Sequence, residues 1–226
     1  MTSHLQNTTL FVGNQSAVTR RTMLPVDPDG SIVVSFGYRI LLFGHHAPHG
    51  WFAVRHDQEI LSKAKVVNFV DEYKRVAVLS DNPMASFLEF ASQMVWVEAA
   101  GGVVECADGD IVLIRRGERW DLPKGHREEG KDFAACAARE AEEETGLKVH
   151  SVGELLATTL HAYNMYGKWE LKLTTWYHMC AQEKTALVPQ REEGIIGAEW
   201  VAPADVKRRV KDSFPTIKKV FSSFFK

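Results

Sequence analysis

Residues 122–146 read LPKGHREEGKDFAACAAREAEEETG, and this stretch decides how the rest of the chain is read. Pro123, Gly125 and Gly130 mark a loop. From Asp132 to about Thr145 the pattern predicts a helix, with Asp132 as its cap and Gly146 as its left-handed stop. Residues three and four apart share a helix face, so Glu140, Glu143 and Glu144 project together while Glu142 points elsewhere. Three such carboxylates repel one another unless something positive lies among them. Hard oxygen ligands on one face suit Mg²⁺ or Mn²⁺, which also bind phosphate oxygens. A Glu-rich helix taken alone is most often a solvated face. The Gly-containing loop before this one, and Arg139 just ahead of its first acid, set it apart.

Upstream, VWVEAAGGVVEC and DIVLIRRG read as two strands joined through ADG, a hairpin signal. Downstream, KLTTWYHMC and GAEWVA read as strands, followed by a short helix from about Ala204 and a basic, aromatic tail. In that tail Phe214, Ile217, Val220, Phe221 and Phe224 fall at helical spacing, which predicts a helix docked on its own domain. The order of strands, loop, helix, strands and helix predicts an α/β/α sandwich around a mixed sheet over residues 95–226. Residues 1–94 read as a separate small α/β segment. Residues 1–30 are polar and end in PVDPDG; SIVVSF, RILLFG and WFAVRH follow as strands around the loop HHAPHG. DQEILSKAKVVNFVDEY reads as a helix, KRVAVLS as a strand, and NPMASFLEFASQM as a helix capped by Asn82. His45, His46 and His49 match no zinc spacing and are assigned to a polar loop.

Composition narrows the class further. The net charge of −2 argues against broad attraction to nucleic acid. Cys106, Cys136 and Cys180 form neither a disulfide framework nor a zinc pattern, and Cys136 among alanines reads as a small buried residue. No signal-like segment and no apolar run of membrane length is present, so a soluble, cytoplasmic protein without a membrane partner is expected.

Gly125, Arg139, Glu140, Ala141, Glu143, Glu144, Gly146 and Leu147 resemble the Nudix box, G-x5-E-x7-R-E-U-x-E-E-x-G-U, and match eight of its nine positions. The resemblance extends to EAAGG from Glu98 and WDLPK from Trp120, and covers about residues 95–206. It implies a Nudix-type fold and hydrolysis of a pyrophosphate bond. It further implies that Glu140, Glu143 and Glu144 hold Mg²⁺ or Mn²⁺, and that Arg139 orients a box carboxylate. In many members a Glu in a later loop is the general base; here Glu193 is the first choice and Glu192 the second. Lys131 stands where members usually carry Glu, and a cation there would repel the metal, so activity is expected to be reduced but real. Glu128 and Glu129 in the same loop are candidate compensations.

Lys124, Arg115 and Arg116 are candidate cations for the phosphates, with at most one of the two adjacent arginines facing the site because strand side chains alternate. His126 is a candidate phosphate or proton-transfer group. LPKGH looks like the family's diadenosine polyphosphate hydrolases, and Tyr163 lies near where those enzymes carry a base-stacking tyrosine. The expected activity is metal-dependent cleavage of a phosphoanhydride in a nucleoside diphosphate derivative. The alternatives are a Nudix-fold sensor that binds a nucleotide without turnover, for which Lys131 is the best support, and an enzyme of capped RNA ends, which the acidic balance disfavours. For residues 1–94 two roles are open: a homodimer interface or a wall of the substrate pocket.

Overall fold

The computed structural model describes residues 23–56 and 61–226. Much of the polar N-terminal stretch and the first residues of the expected helix at 57–73 lie outside them. From Ile32 the chain forms β1 (Ile32–Phe36), β2 (Arg39–Gly44) and β3 (Phe52–Arg55), then helix α1 (Lys63–Tyr73), β4 (Arg75–Leu79) and α2 (Pro83–Ala91). Strands β5 (Val95–Glu105), β6 (Ile111–Arg116), β7 (Arg119–Asp121) and β8 (Lys124–His126) lead into α3 (Phe133–Thr145). Two long strands, β9 (Val149–Met165) and β10 (Lys168–Ala181), precede β11 (Ile195–Val201), α4 (Pro203–Arg209) and α5 (Pro215–Phe224). His45, His46 and His49 lie exposed in the β2–β3 loop.

All strands join one mixed sheet in the order β11-β6-β5-β10-β9-β1-β2-β4-β3, with β7 on β6 and β8 on β5. The N-terminal segment therefore continues the sheet of the following residues, through a parallel pairing of β1 with β9 at Val34↔Leu160 and Ser35↔His161. Strand β9 was not expected. Its 17 residues mix Gly153, Glu154 and exposed positions, so neither strict alternation nor an apolar run marks it.

Burial follows the alternation of side chains across the sheet. Leu171 and Leu173 of β10 join Val34, Leu41, Phe43, Val66, Phe87 and Phe90 in a core under α1 and α2. On that same face Met179 and Tyr177 pack with Cys136, Ala137 and Ala141 of α3. The opposite face carries Trp176, Val103, Val201 and the buried tail residues Ile217, Val220 and Phe221, so the tail docks as the spacing predicts. The result is helices on both faces of a mixed sheet. Helix α3 begins as expected: the Asp132 carboxylate accepts a hydrogen bond from the Ala135 amide at 2.9 Å, and Gly146 closes it at φ 73°. Asn82 caps α2 in the same manner, 3.0 Å from the Ala85 amide.

Candidate active site

Strands β5 and β6 pair only at Glu105↔Ile111 and then separate. The opening is lined by β7 along β6 and by β8 along β5. Across β8, alternation divides three consecutive residues. Gly125 pairs with Ala100 and faces α3, whereas Lys124 and His126 pair with Gly101 and Ala99 and face the other side of the sheet. Gly125 is needed here because a Cβ would sit 1.8 Å from Oε2 of Glu140. The glycine lets the helix bring its first acid against the loop.

The carboxylates of α3 occupy three different environments. Glu144 is fully buried; it accepts from the Lys124 amide at 3.0 Å and from the Arg116 guanidinium at 2.8 Å. Burial raises its carboxyl to about 7 despite those two cations. Glu140 is nearly buried and is also pushed up by burial; Arg139 opposes this, while Glu143 and Glu193 add to it. Glu143 is half exposed. Arg139 bridges the last two, at 2.5 Å to Glu140 and 2.6 Å to Glu143, and donates to the His126 carbonyl at 3.1 Å. The arginine thus holds the box carboxylates and the loop in one assembly.

Arg116 is the second organiser, and of the two adjacent arginines it is the one that meets the box carboxylates. Arg115 instead lies 6.0 Å over the Trp120 ring and makes no contact with the α3 carboxylates among the described residues. Arg116 reaches Glu144 and also donates to the Glu193 carbonyl at 2.6 Å. Among the described residues its Nε is buried without a hydrogen-bond partner, leaving one donor unspent. Glu193 lies in a 3-10 turn (Arg191–Glu193), its carboxylate 4.0 Å from Arg116. Glu192 instead lines an open depression with Glu143, Gly146, Val188 and Gln190. Lys131 is exposed in the loop, as are Glu128 and Glu129.

On the other side of the sheet the register collects groups that no motif announced. Lys172 of β10 sits opposite His161 of β9, and Glu170 opposite Tyr163. Lys172 is mostly buried, with its ammonium 4.9 Å over the Tyr163 ring. Burial, then Lys124 and Arg116, lower it to about 8 against the weaker pull of Asp121 and Glu170, and among the described residues no carboxylate forms an ion pair with it. Burial and the same lysines bring His161 down to about 4. His126 is lowered by burial and by Lys172, and Tyr163 is raised by burial and by its hydrogen bond to Glu170. Lys124 is itself tied to Asp121 at 2.7 Å. Also missed was the ion pair of Arg127 with Glu98, which fastens the loop to β5 beneath Phe133. Both residues lie in the stretches that carry the family resemblance, but pairing between them depends on a fold contact 29 residues apart.

Glu143 and Glu193 both disfavour the charged form of Glu140, and the Gly125 cradle holds a carboxylate where no side chain fits. That chemistry fits a hard cation. In the described arrangement Arg139 lies among these oxygens, and no group of three or more ligating side chains converges on one point among the described residues.

The model of the NUDIX domain family matches residues 96–222, more than half of the chain. This chain belongs to that family and is a pyrophosphohydrolase of the Nudix type. Similar solved structures include a C. elegans Ap4A hydrolase binary complex, at 20% identity and a TM-score of 0.45 over 57% of this chain and 95% of that one. A MutT protein from Methanosarcina mazei Go1 matches at 18% identity and a TM-score of 0.44, over 59% of this chain and 95% of that one. A nudix hydrolase family member from Chromobacterium violaceum matches at 22% identity and a TM-score of 0.41, over 57% and 77%. Among the described residues no helix is long and apolar enough to cross a membrane.

Proposed function

We propose that this enzyme cleaves a phosphoanhydride in a nucleoside diphosphate derivative, with diadenosine polyphosphates the leading candidates, using Mg²⁺ or Mn²⁺ held by Glu140, Glu143 and Glu144. The observation that carries this reading is the meeting of opposite charges at the opening between β5 and β6. Carboxylates of α3 lie on one side, and Lys124 and Lys172 on the other, with Arg116 between them. Such an opening takes a chain of phosphates lengthwise. When bound, the cation would withdraw charge from the phosphate oxygens and acidify an attacking water. Arg139 holds Glu140 and Glu143 in place. Glu193, within electrostatic reach of both Glu140 and His126, takes the proton from the water. Lys124, Lys172 and the free donor of Arg116 receive the phosphates and offset the charge of the leaving group.

The test is phosphate or nucleotide release from a panel of diadenosine polyphosphates, ADP-ribose, NADH, nucleoside triphosphates and capped RNA. It is run with Mg²⁺ and separately with Mn²⁺, with Glu143→Gln as the blank and Lys131→Glu beside the wild type. Turnover lost in the blank supports the reading, and the best substrate names the subgroup. A wild type that binds nucleotides without cleaving any, and gains turnover only as Lys131→Glu, would instead make the chain a sensor.

A further inference from the structure

The N-terminal segment lies outside the family match, yet its first turn reaches the cleft side of the sheet. Gly37, between β1 and β2, donates its amide to Nε2 of His161 at 3.4 Å. Its neighbour Tyr38 remains 48% exposed. The Tyr38 ring lies 5.1 Å from Phe214, and Phe214 lies 5.9 Å from the His161 ring. His161 lies 5.5 Å from Tyr163, over which Lys172 is placed. These contacts form an unbroken aromatic strip that runs from Lys172 to the tip of the N-terminal turn. Exposed Arg119 lies 5.1 Å over Tyr38 and 5.2 Å over Phe214. A half-exposed tyrosine ring beside Phe214, a planar cation over both, and at the far end an ammonium with no ion pair among the described residues suit a flat base carrying phosphates.

We infer that the β1–β2 turn is a substrate-reading element: Tyr38 and Phe214 take the base of a nucleotide whose phosphates lie on Lys172 and Lys124. This rests on the nucleotide reading above and extends it, because it assigns the added segment a role in specificity. The bland role for Tyr38 is that of a staple, since its hydroxyl donates to the Asp212 carbonyl at 2.5 Å. The two roles use different atoms, so they separate by substitution. The ring reads the base; the hydroxyl makes the staple.

The experiment measures binding of ATP and of inorganic tripolyphosphate to the full chain in EDTA, with melting temperature recorded beside it. The variants are Tyr38→Ala, Tyr38→Phe and Lys172→Met. The wild type is expected to bind ATP about tenfold more tightly than tripolyphosphate, about 1.4 kcal/mol. Tyr38→Ala should erase that ratio and leave tripolyphosphate unchanged, Tyr38→Phe should keep it, and Lys172→Met should weaken both ligands alike. A ratio unaltered in Tyr38→Ala, or both ligands weakened equally by it, overturns the inference and leaves Tyr38 a staple. A wild type that binds both ligands equally also overturns it while the phosphate site stands. If neither ligand binds and the substrate panel is inert, the nucleotide reading falls with it.

Discussion

The two ends of the sheet spend their stability differently. Around α1 and α2 the buried polar residues are Ser31, Ser35 and Ser86, and the interior is otherwise aliphatic and phenylalanine-rich. At the other end Asp121, Glu140 and Glu144 are buried, and Lys172 is mostly so. Burying a charge is costly unless it is paired or serves a partner that arrives later. The first end is built to fold. The second holds its buried carboxylates in ion pairs, Asp121 with Lys124, Glu140 with Arg139 and Glu144 with Arg116, and among the described residues leaves Lys172 without one.

This contrast can be broken by experiment. Glu143→Gln should lower kcat on the best substrate by about 100-fold or more, while its half-exposed position keeps the melting temperature close to that of the wild type. A variant that keeps its activity would remove Glu143 from the chemistry. At the opposite end, Phe87→Ala should destabilise the fold by about 3–5 kcal/mol in denaturant titration and leave kcat per folded molecule intact, since Phe87 is fully buried in the core under α1 and α2. Lost catalysis in the folded variant would mean that the two ends are not separable.

Lys172 sharpens the comparison through its sign. Its ammonium is lowered to about 8 from an ordinary 10.5, so the folded state disfavours the charged form. The cost is fully present below about 8 and vanishes as the pH rises through 10.5. Lys172→Met should therefore raise stability at pH 7 by on the order of 1 kcal/mol, with the gain shrinking in melts above pH 10, while phosphate binding weakens. A variant less stable at pH 7 would show that the ammonium is already compensated. The smallest effect belongs to Arg115→Ala, expected to leave kcat/KM unchanged and cost about 0.5–1 kcal/mol through its ring contact. Arg116→Ala should lower kcat/KM at least tenfold, because it strips Glu144 of its guanidinium. Equal effects of the two would undo the assignment of faces.

Features governed by neighbours along the chain were legible from the residues alone. The caps Asp132 and Asn82, the stop at Gly146, the Glu face of α3 and the apolar stripe of α5 all follow from local spacing. What escaped depends on register between distant segments. Arg115 and Arg116 are indistinguishable until β6 is paired and its faces are fixed. Lys172 and His161 belong to no motif and meet only because β9 and β10 align them. The long β9 hid because one side of much of it faces solvent and its polar residues break the pattern. Nothing local announces that β1 joins it.

That junction has a practical consequence. Strand β1 touches β9 through two residue pairs and so covers a short part of the flank of a 17-residue strand. A fragment trimmed to the family-matched region would leave that flank bare, with its backbone donors and acceptors ready to recruit another chain. Dimers or aggregates of such a fragment would report a cut edge, and the intact chain is the proper object for sizing measurements.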